Sequence, residues 1–176
     1  CWSFDGVDDY MTTEHAESGD ITLSGWINCD GTYTINEPRY PLSITPSHSN
    51  LPNATLGRIY MRSTNFNVML QIYDDAGANF NNYYVNVDLD GAGWKHCLWT
   101  FNNTTKHIYF YLNGVRQDWT KWGGTPSDVP YLTAVGYSYA SNLKIGTKSG
   151  SYFFDGKVDE VATFNSVLSS PDITAM

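Results

Sequence analysis

Apolar and polar positions alternate with a period of two along most of this 176-residue chain, and helical periodicity is nearly absent. Val68, Leu70 and Ile72 share one face of a predicted strand, and Cys97 and Trp99 share one face of another. Successive side chains of an extended strand point to opposite faces, so this alternation predicts strands with one buried face. Many short strands with turn signals between them predict an all-β sandwich or barrel.

The alternation breaks in the last predicted strand. Val158 and Val161 are three positions apart, and strict alternation cannot place both on one face. A β-bulge near Asp159 and Glu160 would reconcile them, because one extra residue shifts the phase of a strand. Bulges are frequent next to binding sites, so this position is of interest for function.

Turn and capping residues predict further local structure. Asn113-Gly114 predicts a two-residue hairpin turn, since both residues tolerate a positive φ. Ser170, Pro171 and Asp172 predict the N-cap, N1 and N2 positions of one short C-terminal helix. Residues 30–53 and 119–141 are rich in Pro and Gly and lack clean alternation, so they predict two long loops at the rim of the fold.

Composition limits the classes of partner. Lys and Arg number 10 against 18 Asp and Glu, which gives a formal net charge of −8. An acidic surface repels nucleic-acid backbones and anionic membranes, so we expect no nucleic-acid partner. No run of 18 apolar residues occurs, and we expect no membrane insertion. Aromatic residues make up 15% of the chain, which suits strands and amphipathic binding surfaces.

The three cysteines, Cys1, Cys29 and Cys97, lack the spacing of a metal site. Cys29 and Cys97 share strand faces with apolar residues, which favours two small buried side chains, although a bridge between them is an open alternative. The sequence starts at Cys1 and not at Met, so we expect one domain, residues 1–176, within a longer polypeptide.

Motifs of one kind stand at both ends, SFDGVDDY at 3–10 and FDGKVDEV at 154–161, the second followed by LSSPDI at 168–173. Between them lie ITLSGWI at 21–27, WKHC at 94–97, YLNG at 111–114 and LKIG at 143–146. In this order the set resembles the concanavalin A-like laminin G family, in its LamG-like jelly-roll branch. The resemblance implies a two-sheet antiparallel β-sandwich, a concanavalin A-like jelly roll.

The resemblance also implies that the first and last strands meet. Asp5, Gly6 and Asp8 would then lie near Asp159, and several domains of this family hold a cation at such a place. Calcium takes six to eight oxygen ligands from carboxylates, carbonyls and water, so it is the expected cofactor. The alternative is that Asp5 caps its own turn and Asp159 accepts hydrogen bonds from backbone amides.

Catalysis is not expected, although the related superfamily includes glycosidases and lyases. The Glu-x-Asp-x-x-Glu arrangement of the related glucanases is missing. Asp159 and Glu160 are adjacent, so a regular strand would point them to opposite faces. Asp88 and Asp90 have the spacing of a same-face pair but run into a glycine-rich stretch, which predicts a solvated turn.

Exposed aromatic rings in the two predicted rim loops are candidate stacking platforms for sugars, because a pyranose ring packs its apolar face on an aromatic one. The candidate ligand-binding residues are Tyr33, Tyr40, Trp119, Trp122, Tyr131, Tyr137 and Tyr139. The alternative is that these rings cover the ends of the sandwich or pack on a partner.

We therefore expect a non-catalytic binding or adhesion module that recognises carbohydrate or a protein surface through its rim loops, with a structural calcium. The alternative is a structural decoration or fibre domain of a virus particle or another surface assembly, with other subunits as partners. Both readings place the domain outside the cell, on a cell surface or on a virion surface.

Overall fold

The computed structural model describes residues 1–13, 19–29, 37–44, 56–62, 65–73, 80–87, 89, 93–121, 130, 142–148 and 150–176. Within these residues the chain forms strands β1 (Trp2–Asp5), β2 (Met11–Thr13), β3 (Ile21–Asn28), β4 (Pro38–Arg39), β5 (Leu42–Ser43), β6 (Ile59–Arg62), β7 (Asn65–Tyr73), β8 (Phe80–Asn86), β9 (Lys95–Phe101), β10 (Ile108–Leu112), β11 (Val115–Gln117), β12 (Thr120–Lys121), β13 (Leu143–Ile145) and β14 (Asp155–Phe164), and helix α1 (Ser170–Ala175).

The described strands form antiparallel sheets around one core. A six-stranded sheet has the order β1-β14-β3-β9-β10-β11, and a five-stranded sheet has the order β12-β8-β7-β6-β4. A small third sheet, β2-β13-β5, accompanies the two large ones. The prediction of an all-β, two-sheet antiparallel sandwich with one short C-terminal helix is confirmed, and the third sheet is an addition to it.

Alternate residues of the six-stranded sheet build the core together with the five-stranded sheet. Leu23, Trp99 and Phe110 are buried in one cluster with Val68 and Val85. The residues between them, among them Trp26 and His96, therefore lie on the opposite face of the six-stranded sheet. We call this the outer face, and it carries the candidate site described below.

Cys29 and Cys97 are both buried in the core, and neither forms a disulfide. Burial raises the pKa of the Cys97 thiol well above its ordinary value, because a thiolate would lose its hydration. The interpretation of the two cysteines as small buried side chains is confirmed, and no bridge joins them.

The two ends of the chain are neighbours, as the resemblance implied. Strand β1 pairs with β14, with Trp2 opposite Val158 and Asp5 opposite Asp155. On its other side β14 pairs with β3, and the register shifts between Asp159 and Ala162. The predicted bulge is therefore confirmed, and Glu160 within it has a positive φ of 46°.

The predicted hairpin turn and C-terminal helix are confirmed, but the helix begins one residue earlier than predicted. Asn113 and Gly114 have φ values of 49° and 77°, as a two-residue hairpin turn requires. The helix is capped by Ser169 and not by Ser170, because the Ser169 side chain accepts from the Asp172 backbone N–H. Pro171 still occupies the first turn, where its missing N–H costs no hydrogen bond. In the described residues we find no helix with the length and apolarity that crossing a bilayer demands.

The two predicted long loops are wrong in part. Residues 30–53 contain β4 and β5, and residues 119–141 contain β12. Pro38 fits in β4 because β4 lies at the edge of the five-stranded sheet, where a residue without an N–H breaks no internal ladder. Trp119 lies in the core with 2% exposure, which a surface loop would not give. These strands are too short to produce visible alternation in the sequence.

Gly57 is a point at which the packing of the fold can be tested. It has a φ of +83°, and a Cβ atom there would clash with the Leu42 carbonyl oxygen. We expect Gly57→Ala to lower the free energy of unfolding by more than about 3 kcal/mol. The cost of a positive φ in alanine and the cost of the clash with the backbone add to each other. Chemical denaturation measures this loss.

Gly93 is the matched control, since its φ is +85° but no atom of the described residues lies within 4 Å of its Cβ position. Gly93→Ala should cost about 1–2 kcal/mol from the left-handed conformation alone. Equal losses in the two variants would contradict the close approach of Gly57 to Leu42.

Candidate functional site

The turn after β1 carries an acidic cluster. One carboxylate oxygen from each of Asp5, Asp8 and Asp9 lies within 4.8 Å of the others, and all three side chains are exposed. The Asp5 carboxylate also accepts from the Val7 backbone N–H at 2.9 Å, so Asp5 does cap its own turn. Gly6 has a φ of +76°, which allows the chain to turn sharply between them.

Asp159 does not belong to this cluster, and the expectation that Asp5 and Asp159 lie together is wrong. Asp155 is the residue opposite Asp5 in the pairing of β1 with β14. Asp159 is four positions further along β14, roughly 13 Å away at the usual rise of a strand. Its carboxylate instead lies 3.4 Å from the nitrogen of Cys1.

The three clustered carboxylates fit a hard cation as a donor set. Calcium prefers carboxylate oxygens and completes its shell with backbone carbonyls and water, so three side-chain ligands in one exposed turn are compatible with it. Gly6 has no side chain to offer as a ligand and serves the turn through its backbone conformation.

The candidate stacking rings in the rim loops are not all available. Tyr40 is 4% exposed, 6.3 Å from the ring of Tyr152, and Trp119 is 2% exposed, 6.2 Å from the ring of Phe110. For these two, the expectation of open stacking platforms is wrong because both rings pack inward. The other candidates, Tyr33, Trp122, Tyr131, Tyr137 and Tyr139, lie outside the described residues.

The structure instead brings together aromatic and acidic residues that lie outside the two predicted rim loops. A pocket of about 340 Å³ on the outer face is lined by Trp26, Trp94, Asp159, Glu160 and Met176. We call it the tryptophan pocket. It combines two indole rings with two carboxylates, which are the groups that protein sites use to stack on a ligand and to accept its hydrogen bonds.

Neighbouring strands place the two rings and the carboxylates. Trp26 of β3 lies between its partners His96 of β9 and Asp159 of β14, so the three form one row across the outer face. Trp94 precedes β9 by one residue and is 38% exposed. The row brings an aromatic and an acidic side chain together because adjacent strands hold paired residues about 5 Å apart.

The bulge in β14 explains why two adjacent carboxylates line the same pocket. In a regular strand Asp159 and Glu160 would point to opposite faces. Here Glu160 adopts a left-handed conformation, and its backbone N–H donates to the Asp159 side chain at 3.0 Å. A non-glycine residue in this conformation is strained, and such strain is concentrated at functional sites.

His96 lies beside Trp26 on the outer face and packs against it. Its ring lies 5.3 Å from the Trp26 ring, and its Nε2 is hydrogen-bonded to the Ser24 hydroxyl at 2.7 Å. The Asn113 side chain accepts from the His96 backbone N–H at 2.9 Å. Burial lowers the pKa of His96, with the Glu160 charge acting in the opposite direction, so the neutral imidazole is favoured.

The C-terminal segment closes one side of the outer face. The Thr22 hydroxyl donates to the Ser166 carbonyl at 2.7 Å and accepts from the Leu168 N–H at 3.2 Å. Ile173 of α1 is buried, and the helix ends beside the tryptophan pocket with Met176 in its lining. The ordered C-terminal segment therefore limits the pocket on this side.

The sequence contains signals for the residues of the tryptophan pocket, but these signals lie in three separate segments. The phase break at Asp159 and Glu160 indicated a bulge, and Trp26 and Trp94 fell within the motifs ITLSGWI and WKHC. Only the pairing of β14 with β3 and of β3 with β9 shows that these positions meet.

Comparisons with known proteins agree with this architecture. A family model described as the Concanavalin A-like lectin/glucanases superfamily matches residues 5–174. No curated protein sequence matches the chain.

Solved structures resemble the fold at low sequence identity. A heptameric SAP-like pentraxin from Limulus polyphemus has a TM-score of 0.65 at 14% identity, over 98% of this chain and 78% of the pentraxin. The CBM40 of a Ruminococcus gnavus IT-sialidase, bound to α2,3-sialyllactose, has a TM-score of 0.56 at 15% identity, over 99% of this chain and 96% of the module. The NanB sialidase of Streptococcus pneumoniae has a TM-score of 0.63 at 14% identity; the match spans 99% of this chain but only 27% of the sialidase.

His96 predicts a specific dependence of stability on pH. Its pKa is lower in the folded chain than in the unfolded chain. The unfolded chain therefore binds more protons below pH ~6.5, and the contribution of neutral His96 to stability is lost as the pH falls through this range. We expect His96→Gln to have a lower Tm at neutral pH and a flatter decline of Tm between about pH 7 and 5.5.

Differential scanning calorimetry across the pH series measures the slope of Tm in the wild type and in His96→Gln. A wild-type slope in His96→Gln would refute the role assigned to the buried imidazole.

Proposed function

This chain belongs to the concanavalin A-like lectin/glucanases superfamily and is a lectin-like jelly-roll domain, and we propose that it is a non-catalytic carbohydrate-binding module. We propose further that its saccharide binds in the tryptophan pocket. The observation that carries this proposal is the presence of Trp26, Trp94, Asp159 and Glu160 in the lining of one pocket.

The chemistry of these groups suits a sugar. The apolar face of a pyranose packs on an indole ring, and an exposed ring such as that of Trp94 is available for this contact. Sugar hydroxyls donate hydrogen bonds to carboxylates, and charged acceptors form stronger bonds than neutral ones. A pocket of about 340 Å³ is at the small end of ligand sites, which fits one or two sugar rings.

Two structural neighbours carry saccharides in their descriptions. The Ruminococcus gnavus CBM40 is bound to α2,3-sialyllactose, and domain 4 of an extracellular arabinanase from Geobacillus stearothermophilus is in complex with arabinotriose. The arabinanase domain resembles this chain with a TM-score of 0.52 at 12% identity, over 98% of this chain and 74% of that one. These likenesses support a saccharide as the class of ligand.

The position of the two carboxylates argues against glycoside hydrolysis. That reaction uses two carboxyl groups that flank the scissile bond from different sides. Asp159 and Glu160 are adjacent on one strand, and Asp159 is already engaged by the Glu160 N–H. They therefore approach a ligand from the same side, which suits binding and not acid–base catalysis.

We propose that the rim residues Tyr33, Trp122, Tyr131, Tyr137 and Tyr139 extend the contact to longer glycans or to a protein partner. A module of this kind acts in adhesion or recognition, and we propose an extracellular, cell-surface or virion-surface location for it.

We also propose a structural calcium at the turn after β1. Asp5, Asp8 and Asp9 would supply three of its oxygen ligands, with Gly6 setting the turn. The ion would neutralise three neighbouring carboxylates and fix the turn beside the pairing of β1 with β14.

Removal of one indole ring tests the saccharide site. We expect Trp94→Ala to weaken binding to oligosaccharides at least tenfold, because the stacking surface is lost, while the free energy of unfolding changes by less than about 1 kcal/mol. A glycan array identifies the ligand, and titration calorimetry then measures its affinity.

Trp2→Ala is the matched control, since Trp2 is also exposed, at 45%, but does not line the tryptophan pocket. This variant should retain wild-type affinity. Unchanged oligosaccharide affinity in Trp94→Ala would show that the saccharide does not bind in the tryptophan pocket.

The calcium site is tested by thermal stability. Added calcium should raise the Tm and chelator should lower it, because an ion that binds only the folded chain stabilises it by about 2.7 kcal/mol at 100 times its Kd. Asp8→Asn should abolish the response. Glu37→Gln, which changes an exposed carboxylate paired with Arg39, should preserve it. A Tm that is insensitive to calcium and chelator in the wild type would refute the site.

A further inference from the structure

The charged side chains that line the tryptophan pocket are all acidic. Among the residues that the structure describes, its lining holds the carboxylates of Asp159 and Glu160 and no Lys or Arg side chain. Within the described part of the chain, the Glu160 carboxylate has no hydrogen-bond or ion-pair partner, although the residue is held in a strained backbone conformation. Two carboxylates beside two indole rings form a lining that attracts a positively charged ligand.

The aromatic part of the pocket favours the same charge. The face of an indole ring carries negative potential, so a cation over Trp26 or Trp94 is attracted by the ring as well as by the carboxylates. The formal net charge of −8 adds a field of the same sign over the whole domain. An anionic sugar would meet repulsion from each of these sources.

We propose that the tryptophan pocket selects saccharides that carry a free amine, which is protonated as an ammonium group, over neutral and sialylated ones. This proposal rests on the function proposed above and names its ligand class. In this arrangement the ammonium group lies between the Glu160 carboxylate and an indole ring, and a sugar ring packs on Trp94.

Asp159 has a supporting part in this recognition. One of its oxygens accepts from the Glu160 backbone N–H, which fixes the bulge, and its other oxygen lies 3.4 Å from the Cys1 nitrogen. Glu160 is the carboxylate left for the ligand.

The test compares ligands of equal length and different charge. Tri-glucosamine, its fully N-acetylated counterpart and α2,3-sialyllactose are titrated into the wild-type domain by calorimetry, at a pH at which the sugar amine is protonated. We expect tri-glucosamine to bind at least tenfold more tightly than the N-acetylated trimer, and sialyllactose to bind most weakly. The preference should shrink as salt is added, since charge attraction is screened.

Variants separate recognition in the pocket from general attraction to an acidic protein. Glu160→Gln should reduce the preference for tri-glucosamine at least fivefold, and Trp94→Ala should weaken all binding. Asp118→Asn removes an exposed carboxylate that pairs with Arg116 and should change neither. An equal loss in Asp118→Asn and Glu160→Gln would show nonspecific charge attraction and would overturn the proposal.

The failures of the two proposals are distinguishable. Equal or tighter binding of the N-acetylated or sialylated sugar, lost in Trp94→Ala, would refute the charge selectivity and leave the saccharide site intact. The absence of binding to all three sugars and across a glycan array would refute both.

Discussion

The irregular pairing of β14 with β3 is the constraint on which the rest of the site depends. Strand β14 lies between β1 and β3, and its register shifts between Asp159 and Ala162. Without this bulge, Asp159 and Glu160 would lie on opposite faces of the sheet, and one would enter the core. The bulge lets both carboxylates reach the outer face while Val158 remains in the core.

Hydrogen bonds on the outer face keep this arrangement in place. Ser24 and His96 are hydrogen-bonded to each other beside Trp26, and Thr22 is hydrogen-bonded to the segment that leads to α1. These bonds come from buried side chains, so the groups they position are held by the rigid sheet and not by loops. A binding surface built in this way needs little reorganisation when a ligand arrives, which favours affinity.

The sequence predicted the sheet and its irregularity better than the site. Alternation identified the strands, Val158 and Val161 located the bulge, and Asn113-Gly114 located a hairpin, because each is a local pattern. Asp159 was assigned to the wrong acidic group, since that assignment depended on strand register, which the motif does not contain. The burial of Tyr40 and Trp119 could not be predicted, because the short strands β5 and β12 beside them leave no periodic signal in the sequence.

The most direct test of this account is a crystal structure of the domain with its bound saccharide. Binding in the tryptophan pocket predicts a sugar ring packed on Trp94, with polar contacts to Glu160 and with the left-handed conformation of Glu160 unchanged from the free domain. A saccharide bound elsewhere on the domain, with no contact to the tryptophan pocket, would contradict it.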